Sequence, residues 1–242
     1  MMYLNERIDD LQRGGLCVIQ RADAFRFGTD AVLLADFAAP RRHDRVCDLG
    51  TGTGIIPLLL YARENTISAD AVEIQPDMAD MAARSMAMNG LNEKIRVLPG
   101  DLRSIRTLLP HARYDLVTCN PPYGKAGGTL LNPDASKRLA RHEESCAIED
   151  VACASAWLLQ NGGRLCCVFP AARMIELSDA MRKYRMAPKR IRMVHSRVEK
   201  AAHLCLMEGM LDARPGLIIE PPLVIYDENN AYTPELRRIY GL

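Results

Sequence analysis

Apolar positions alternate between two rhythms along the middle of this chain. Short continuous apolar runs of strand length occur at Arg45 to Asp48, Ala69 to Ile74, Ile95 to Leu98, Tyr114 to Cys119 and Arg164 to Phe169. Between them, Ile55 to Arg63, Pro76 to Asn89 and Ile148 to Gln160 carry helical spacing. Thr29 and Asp30 precede AVLLADFA as capping residues of an earlier helix, and Pro57 and Pro76 fall in first turns, where proline is tolerated. Asn161-Gly162-Gly163 reads as a helix-ending turn. A helix from Ile175 to Tyr184 and strands at Ile191 to His195, Leu204 to Leu211 and Leu217 to Tyr226 complete a β-rich closure.

This alternation predicts an α/β fold, a doubly wound and largely parallel sheet covered on both faces. Ligands in such folds bind at the carboxyl ends of the strands, where strand order reverses. No repeat, low-complexity tract or long linker interrupts the pattern, so residues 1–242 read as one domain.

The composition, 48% hydrophobic and 25% charged over 242 residues, fits one substantial core. The start, MMYLNERIDDLQRGG, lacks the apolar stretch of an export signal. The apolar run Ile55 to Ala62 is broken by Pro57 and falls far short of the roughly twenty residues a membrane span needs. A cytoplasmic protein is expected. The 8 cysteines form no Cys-x-x-Cys pair and mostly sit in apolar runs such as LCCVF, as reduced core residues. No metal site is expected. Net charge is only +1, but Arg173 to Lys200 holds 9 Lys or Arg against 3 Asp or Glu. That stretch is either a solvated helix face or a phosphate-facing patch.

Candidate chemistry collects at the strand ends. The loop Asp48-Leu49-Gly50-Thr51-Gly52-Thr53-Gly54 has the spacing G-x-G-x-G, not the G-x-G-x-x-G that cradles a pyrophosphate. It can instead pass beneath the amino-acid end and ribose of S-adenosylmethionine, with Asp48 receiving the ammonium. Glu73 ends the second strand, where a carboxylate can accept both ribose hydroxyls, and Asp101 follows the third, placed to meet an adenine amino group. A structural glycine turn with surface acids is the alternative.

Asn120-Pro121-Pro122-Tyr123 follows the strand Tyr114 to Cys119 and lies on the same rim. An amide or aromatic amine nitrogen delocalises its lone pair and attacks a sulfonium methyl poorly. Acceptors aimed at its N–H bonds favour the pyramidal nitrogen as charge develops. The Asn120 side-chain oxygen and the Pro121 carbonyl can be those acceptors, held by the prolines, and Tyr123 offers a stacking face. A proline-stiffened turn without chemistry is the alternative. Cys119 reads as packing.

With DLGTGTG, Glu73, Asp101 and NPPY in this order, the chain resembles Rossmann-like methyltransferases of the N6-adenine and N5-glutamine groups. FRFGTDAVLLADFA, the RHE at Arg141 to Glu143, PKRIRMVHSRVEKAAHLCLMEG and PPLVIYDENNAYTPELRRIYGL are similar to the bacterial tRNA (adenine-N6)-methyltransferases that act beside the anticodon of a valine tRNA. The resemblance implies a central, mostly parallel seven-stranded sheet with helices on both faces and a segment 1–40 lying over the cofactor site. It implies S-adenosylmethionine contacts at Asp48, Gly50, Thr51, Gly52, Glu73, Ile74, Asp101, Leu102 and Asn120, with Thr29 and Asp30 on the cofactor side. It places catalysis at Asn120, Pro121, Pro122 and Tyr123, and makes tRNA the partner. Gly124 stands where members often carry a larger side chain. His142 and Glu143 order the substrate loop or touch substrate, and Met78, Met81 and Met88 read as core. The rival readings are methylation of a ribosomal RNA base or a protein glutamine, and a non-catalytic RNA-binding module.

Overall fold

The computed structural model describes residues 3, 5–21, 28–121 and 148–242. A hairpin of β1 (Glu6–Asp10) and β2 (Cys17–Arg21) precedes α1 (Thr29–Ala38). Then follow β3 (Arg45–Leu49), α2 (Ile55–Arg63), β4 (Ser68–Glu73), α3 (Pro76–Met88), β5 (Ile95–Pro99), a short α4 (Ile105–Leu108) and β6 (Tyr114–Cys119). After the segment 122–147, the chain continues as α5 (Ile148–Leu158), β7 (Leu159–Pro170), α6 (Met174–Lys183), β8 (Met186–His195) and β9 (Ala202–Leu211). Two short strands, β10 (Ile218–Ile219) and β11 (Leu223–Val224), and α7 (Pro234–Tyr240) close it.

Seven strands lie in the order β5-β4-β3-β6-β7-β9-β8, and β10 and β11 along the outer edge of β8 bring the sheet to 9 strands. Pairings from β5 through β7 are parallel, and β9 runs antiparallel to both neighbours. The expected mostly parallel α/β sheet is therefore present. Order reverses between β3 and β6, because the chain builds outward through β4 and β5 before returning to the other side of β3.

The continuous apolar runs have a simple cause. Successive side chains of a strand point to opposite faces, and both faces are covered. Val46, Leu116, Cys166 and Val168 join one core cluster with α1, α2 and α7. Cys47, Leu49, Val117, Leu165 and Cys167 join the other, against α4, α5 and α6. Five of the seven cysteines among the described residues are buried and all seven are free thiols; Cys146 lies outside those residues. No helix among the described residues is long and apolar enough to cross a membrane.

The first hairpin docks on α3. Asn89 accepts from the Cys17 amide at 2.9 Å and donates to its carbonyl at 2.6 Å, and Ser85 Oγ accepts from Ile19 at 2.9 Å. At the opposite end of the sheet, guanidinium groups receive the last carbonyls of α1. Arg164 donates to the Ala38 carbonyl at 3.0 Å and to Glu208 at 3.1 Å, and Arg190 donates to the Phe37 carbonyl at 2.9 Å. The N-terminal end of α1, with Thr29, is thereby directed toward the carboxyl rim.

Several expectations need correction. Asn161-Gly162-Gly163 does not end a helix: α5 stops at Leu158, and the turn is an irregularity inside β7, where register jumps from Tyr114↔Leu159 to Leu116↔Arg164. A Cβ on Gly163 would stand 2.9 Å from the Gln160 carbonyl and 3.0 Å from that of Tyr114, so the close approach requires glycine. The single strand expected over Leu217 to Tyr226 is split by Pro221-Pro222 into β10 and β11, since proline cannot donate to the ladder. The basic stretch from Arg173 is largely paired within the fold: Arg173 with Glu176, Lys183 with Glu149, Arg185 with Asp212, Arg190 with Glu208 and Glu220, and Arg192 with Glu235. That removes most of the charge the phosphate-facing reading needs.

Candidate active site at the carboxyl ends of the strands

Three strand ends converge on one loop. After β3, the Gly50 and Thr51 amides both donate to the Val72 carbonyl of β4, at 2.9 and 3.0 Å. Glu73 then binds the loop with its buried carboxylate: one oxygen accepts from the Gly52 amide at 2.8 Å, the other from the Gln75 amide at 2.9 Å, just ahead of α3. Gly50 and Gly52 adopt φ of +70° and +57°, and a Cβ on either would meet nothing within 4 Å. The loop is thus a left-handed turn with its bare backbone against open space.

Asp48 lies below it, fully buried at 0% exposure. One carboxylate oxygen accepts from the Thr118 hydroxyl at 2.6 Å. Its other oxygen, Oδ2, and the buried Thr51 Oγ1 have no hydrogen-bond partner among the described residues. The Thr51 hydroxyl still acts on the Asp48 carboxyl, so the two atoms face one another without a close hydrogen bond, and a polar group set against both would satisfy them. Burial pushes the Asp48 carboxyl up to about 7, helped by the charge of Glu73 and against the lowering pull of the Thr118 and Thr51 hydroxyls.

A cavity of about 250 Å³ opens over this loop, lined by Gly50, Thr51, Gly52 and Thr53, by Ile55 and Ile56 of α2, and by Asn120 directly after β6. Gln20 and Arg21 of the first hairpin, Gly28, Ala31 and Met78 form the rest of its wall. The acidic residue, the glycines and Asn120 therefore meet at the reversal of strand order, supported by the register Leu49↔Cys119. The buried, bare-backboned cradle with two acceptors lacking a close hydrogen bond suits a cationic amino-acid ligand such as the methionine end of S-adenosylmethionine.

The other expected residues are placed as follows. Asp101 caps the short turn Leu102–Ser104 by accepting from the Arg103 amide at 2.9 Å, and its ion pair with Arg103, at 2.6 Å, holds its carboxyl below the ordinary value. Leu102 packs against the core beneath the sheet, and Ile74 is exposed. Thr29 Oγ1 accepts from the Tyr240 hydroxyl at 3.1 Å and lines a neighbouring hollow. Burial raises the Asp30 carboxyl, opposed by the charge of His203. Pro121 is buried; Pro122, Tyr123, Gly124, His142 and Glu143 lie outside the described residues. Of the three methionines, only Met81 is buried core; Met78 lines the cavity and Met88 is exposed.

Residues 22–190 match the methyltransferase small domain. A tRNA1(Val) (adenine(37)-N6)-methyltransferase of Porphyromonas gingivalis is 31% identical over 231 residues, covering 91% of this chain and 89% of that protein. Its namesake in Tolumonas auensis is 34% identical over 216 residues, covering 88% of this chain and 86% of that one. The chain belongs to the tRNA1(Val) (adenine(37)-N6)-methyltransferase family. Among solved structures, a predicted O-methyltransferase, protein Atu636 from Agrobacterium tumefaciens, superposes with a TM-score of 0.73 at 24% identity, over 88% of this chain and 96% of that one, which establishes the shared fold.

For a member of this family, two features of the site escape the motifs. Thr118 orients Asp48 from the neighbouring strand; the only sequence signal is a hydroxyl inside the otherwise apolar run before Asn120. Gln20 and Arg21 reach the cavity from β2, where they follow the apolar run Cys17-Val18-Ile19 and match no motif.

Proposed function

We propose that the chain transfers the methyl group of S-adenosylmethionine to N6 of an adenine beside the anticodon of a tRNA. One observation carries the reading: Asn120 shares a cavity with a glycine loop above two buried oxygens lacking a close hydrogen bond, Asp48 Oδ2 and Thr51 Oγ1. Family membership supports tRNA over the protein-glutamine and ribosomal alternatives, which the same catalytic turn would serve equally well.

When bound, S-adenosylmethionine supplies a methyl on a positively charged sulfur. Asp48 and Thr51 receive its ammonium end, and Gly50 and Gly52 leave room for it. Glu73, already fixed by two loop amides, uses its remaining lone pairs for the ribose hydroxyls. Asp101 meets the adenine amino group beside Arg103, with Ile74 and Leu102 flanking it and Thr29 and Asp30 on the cofactor side. Asn120 and the Pro121 carbonyl accept the two N–H bonds of the target amine, and Tyr123 stacks on the base. As charge develops, these fixed acceptors draw the nitrogen lone pair out of conjugation. Residues 5–21 and α1 form the extension over the cofactor side.

The test incubates the protein with labelled cofactor and separate tRNA, ribosomal RNA and protein fractions, followed by nucleoside analysis. Label is expected in tRNA as N6-methyladenosine; label confined to ribosomal RNA or protein contradicts the reading. Asn120→Ala should lower turnover by about a hundred- to a thousandfold, the loss seen when one preorganised polar group is removed, with cofactor affinity unchanged.

A further inference from the structure

A second hollow, of about 500 Å³, adjoins the active site. Gly28 lines both cavities, and Thr29, next in sequence, faces the second. Its opposite wall is aromatic. Tyr232 and Tyr240 border the hollow and stack at 5.6 Å between centroids with planes 14° apart. Tyr226 continues the ladder beyond Tyr232 at 5.4 Å, and is exposed. The Tyr240 hydroxyl, bonded to Thr29, fastens this ladder to the α1 end that borders the catalytic cavity.

Charged side chains around the hollow are already committed. Asp9 pairs with Arg7 at 3.0 Å, and Asp10 accepts from the Gln12 amide at 2.7 Å. Arg13 donates to the carbonyls of Arg238, at 3.1 Å, and Ile239. What the hollow offers a ligand is therefore aromatic surface beside the carboxylates of Asp9 and Asp10, not a cationic seat for phosphate. Such a surface suits a planar heterocycle, and its volume falls in the range of small-ligand pockets.

We propose that this hollow seats an unpaired nucleobase of the substrate RNA adjacent to the adenine being methylated. The inference rests on the tRNA reading above. An enzyme that acts on an exocyclic amine takes its target base out of the stack, and the neighbouring base then needs a substitute stacking partner. Tyr240, at the hollow's end of the tyrosine stack, supplies one, in a hollow that shares Gly28 with the cavity of Asn120, and so sets the register of the strand along the rim.

The test compares Tyr240→Leu, which removes the ring, with Tyr240→Phe, which removes only the hydroxyl. The substrate is a tRNA anticodon stem-loop. Tyr240→Leu should raise KM for the RNA about tenfold or more, as expected for one lost base–aromatic stack, while cofactor affinity stays unchanged and Tyr240→Phe, which keeps the ring and loses only the bond to Thr29, raises KM far less. Equal RNA KM in all three overturns the proposal. Because the leucine variant can fail to fold, the unmodified protein is also irradiated with stem-loops carrying one 5-iodouridine at each loop position in turn. Crosslinks at Tyr232 or Tyr240 support the proposal, and crosslinks found only elsewhere overturn it. If the unmodified protein transfers no methyl to tRNA, the functional reading falls first and this one with it.

Discussion

Two clusters of buried charge sit on the same sheet and are built in opposite ways. Under the C-terminal end of α1, Arg164, Arg190, Glu208 and Asp44 satisfy one another and the helix carbonyls. Burial pushes the Glu208 carboxyl up, but the Arg190 and Arg164 guanidinium groups more than offset it, leaving the group below its ordinary value. At the carboxyl rim, Asp48 is buried more deeply and is raised to about 7, with one oxygen lacking a close hydrogen bond. A closed network holds a fold together; an open one is finished by a ligand. Two guanidinium partners at one and none at the other separate the two carboxylates.

The largest effect that separates them is expected at the closed cluster. Glu208→Ala should cost about 1.5–3 kcal/mol of stability by removing the carboxylate shared by Arg164 and Arg190, which are left with Asp44 and Glu220, measurable by denaturant unfolding, while cofactor affinity in the folded fraction is retained. A marginal stability loss would erase the contrast. Next comes Glu73→Ala beside the open cluster, which should weaken cofactor binding in calorimetry by about ten- to a hundredfold through lost charge-assisted hydrogen bonds, including those that hold the Gly52 and Gln75 amides. An unaltered dissociation constant would remove Glu73 from the ribose.

The sequence reveals these two regions unequally. From Arg45 to Cys119 the strands and the two longer helices are legible because the strands other than the partly exposed β5 are largely buried on both faces and each of those helices begins at a loop or proline signal, whereas the four-residue α4 carries no such signal. Asp48, the glycines, Glu73 and Asn120 follow, since chemistry at strand ends is a local pattern. The closed cluster is not legible. Arg164 meets Ala38, Asp44 and Glu208 across separations that only the assembled sheet brings together. The basic stretch misleads for the same reason, since carboxylates such as Asp212, Glu220 and Glu235 that neutralise it lie further along the chain. The helix Pro234–Tyr240 was within reach: Thr233 caps it by accepting from the Leu236 amide at 3.3 Å, and Thr-Pro-Glu is a helix-start signal. Its brevity hid it. Strand β1 offers no such cue, since ERIDD is mostly charged and half-exposed, although its partner β2 carries the apolar run Cys17-Val18-Ile19.

The most direct test of the open cluster is cofactor affinity against pH. Only the ionised Asp48 carboxyl attracts an ammonium group, and its proton is held up to about pH 7. Affinity should therefore rise by nearly tenfold per unit from pH 5 toward 7, with proton uptake by the buffer, and the slope should vanish in Asp48→Asn. A pH-independent dissociation constant in the unmodified protein over that range would contradict the account.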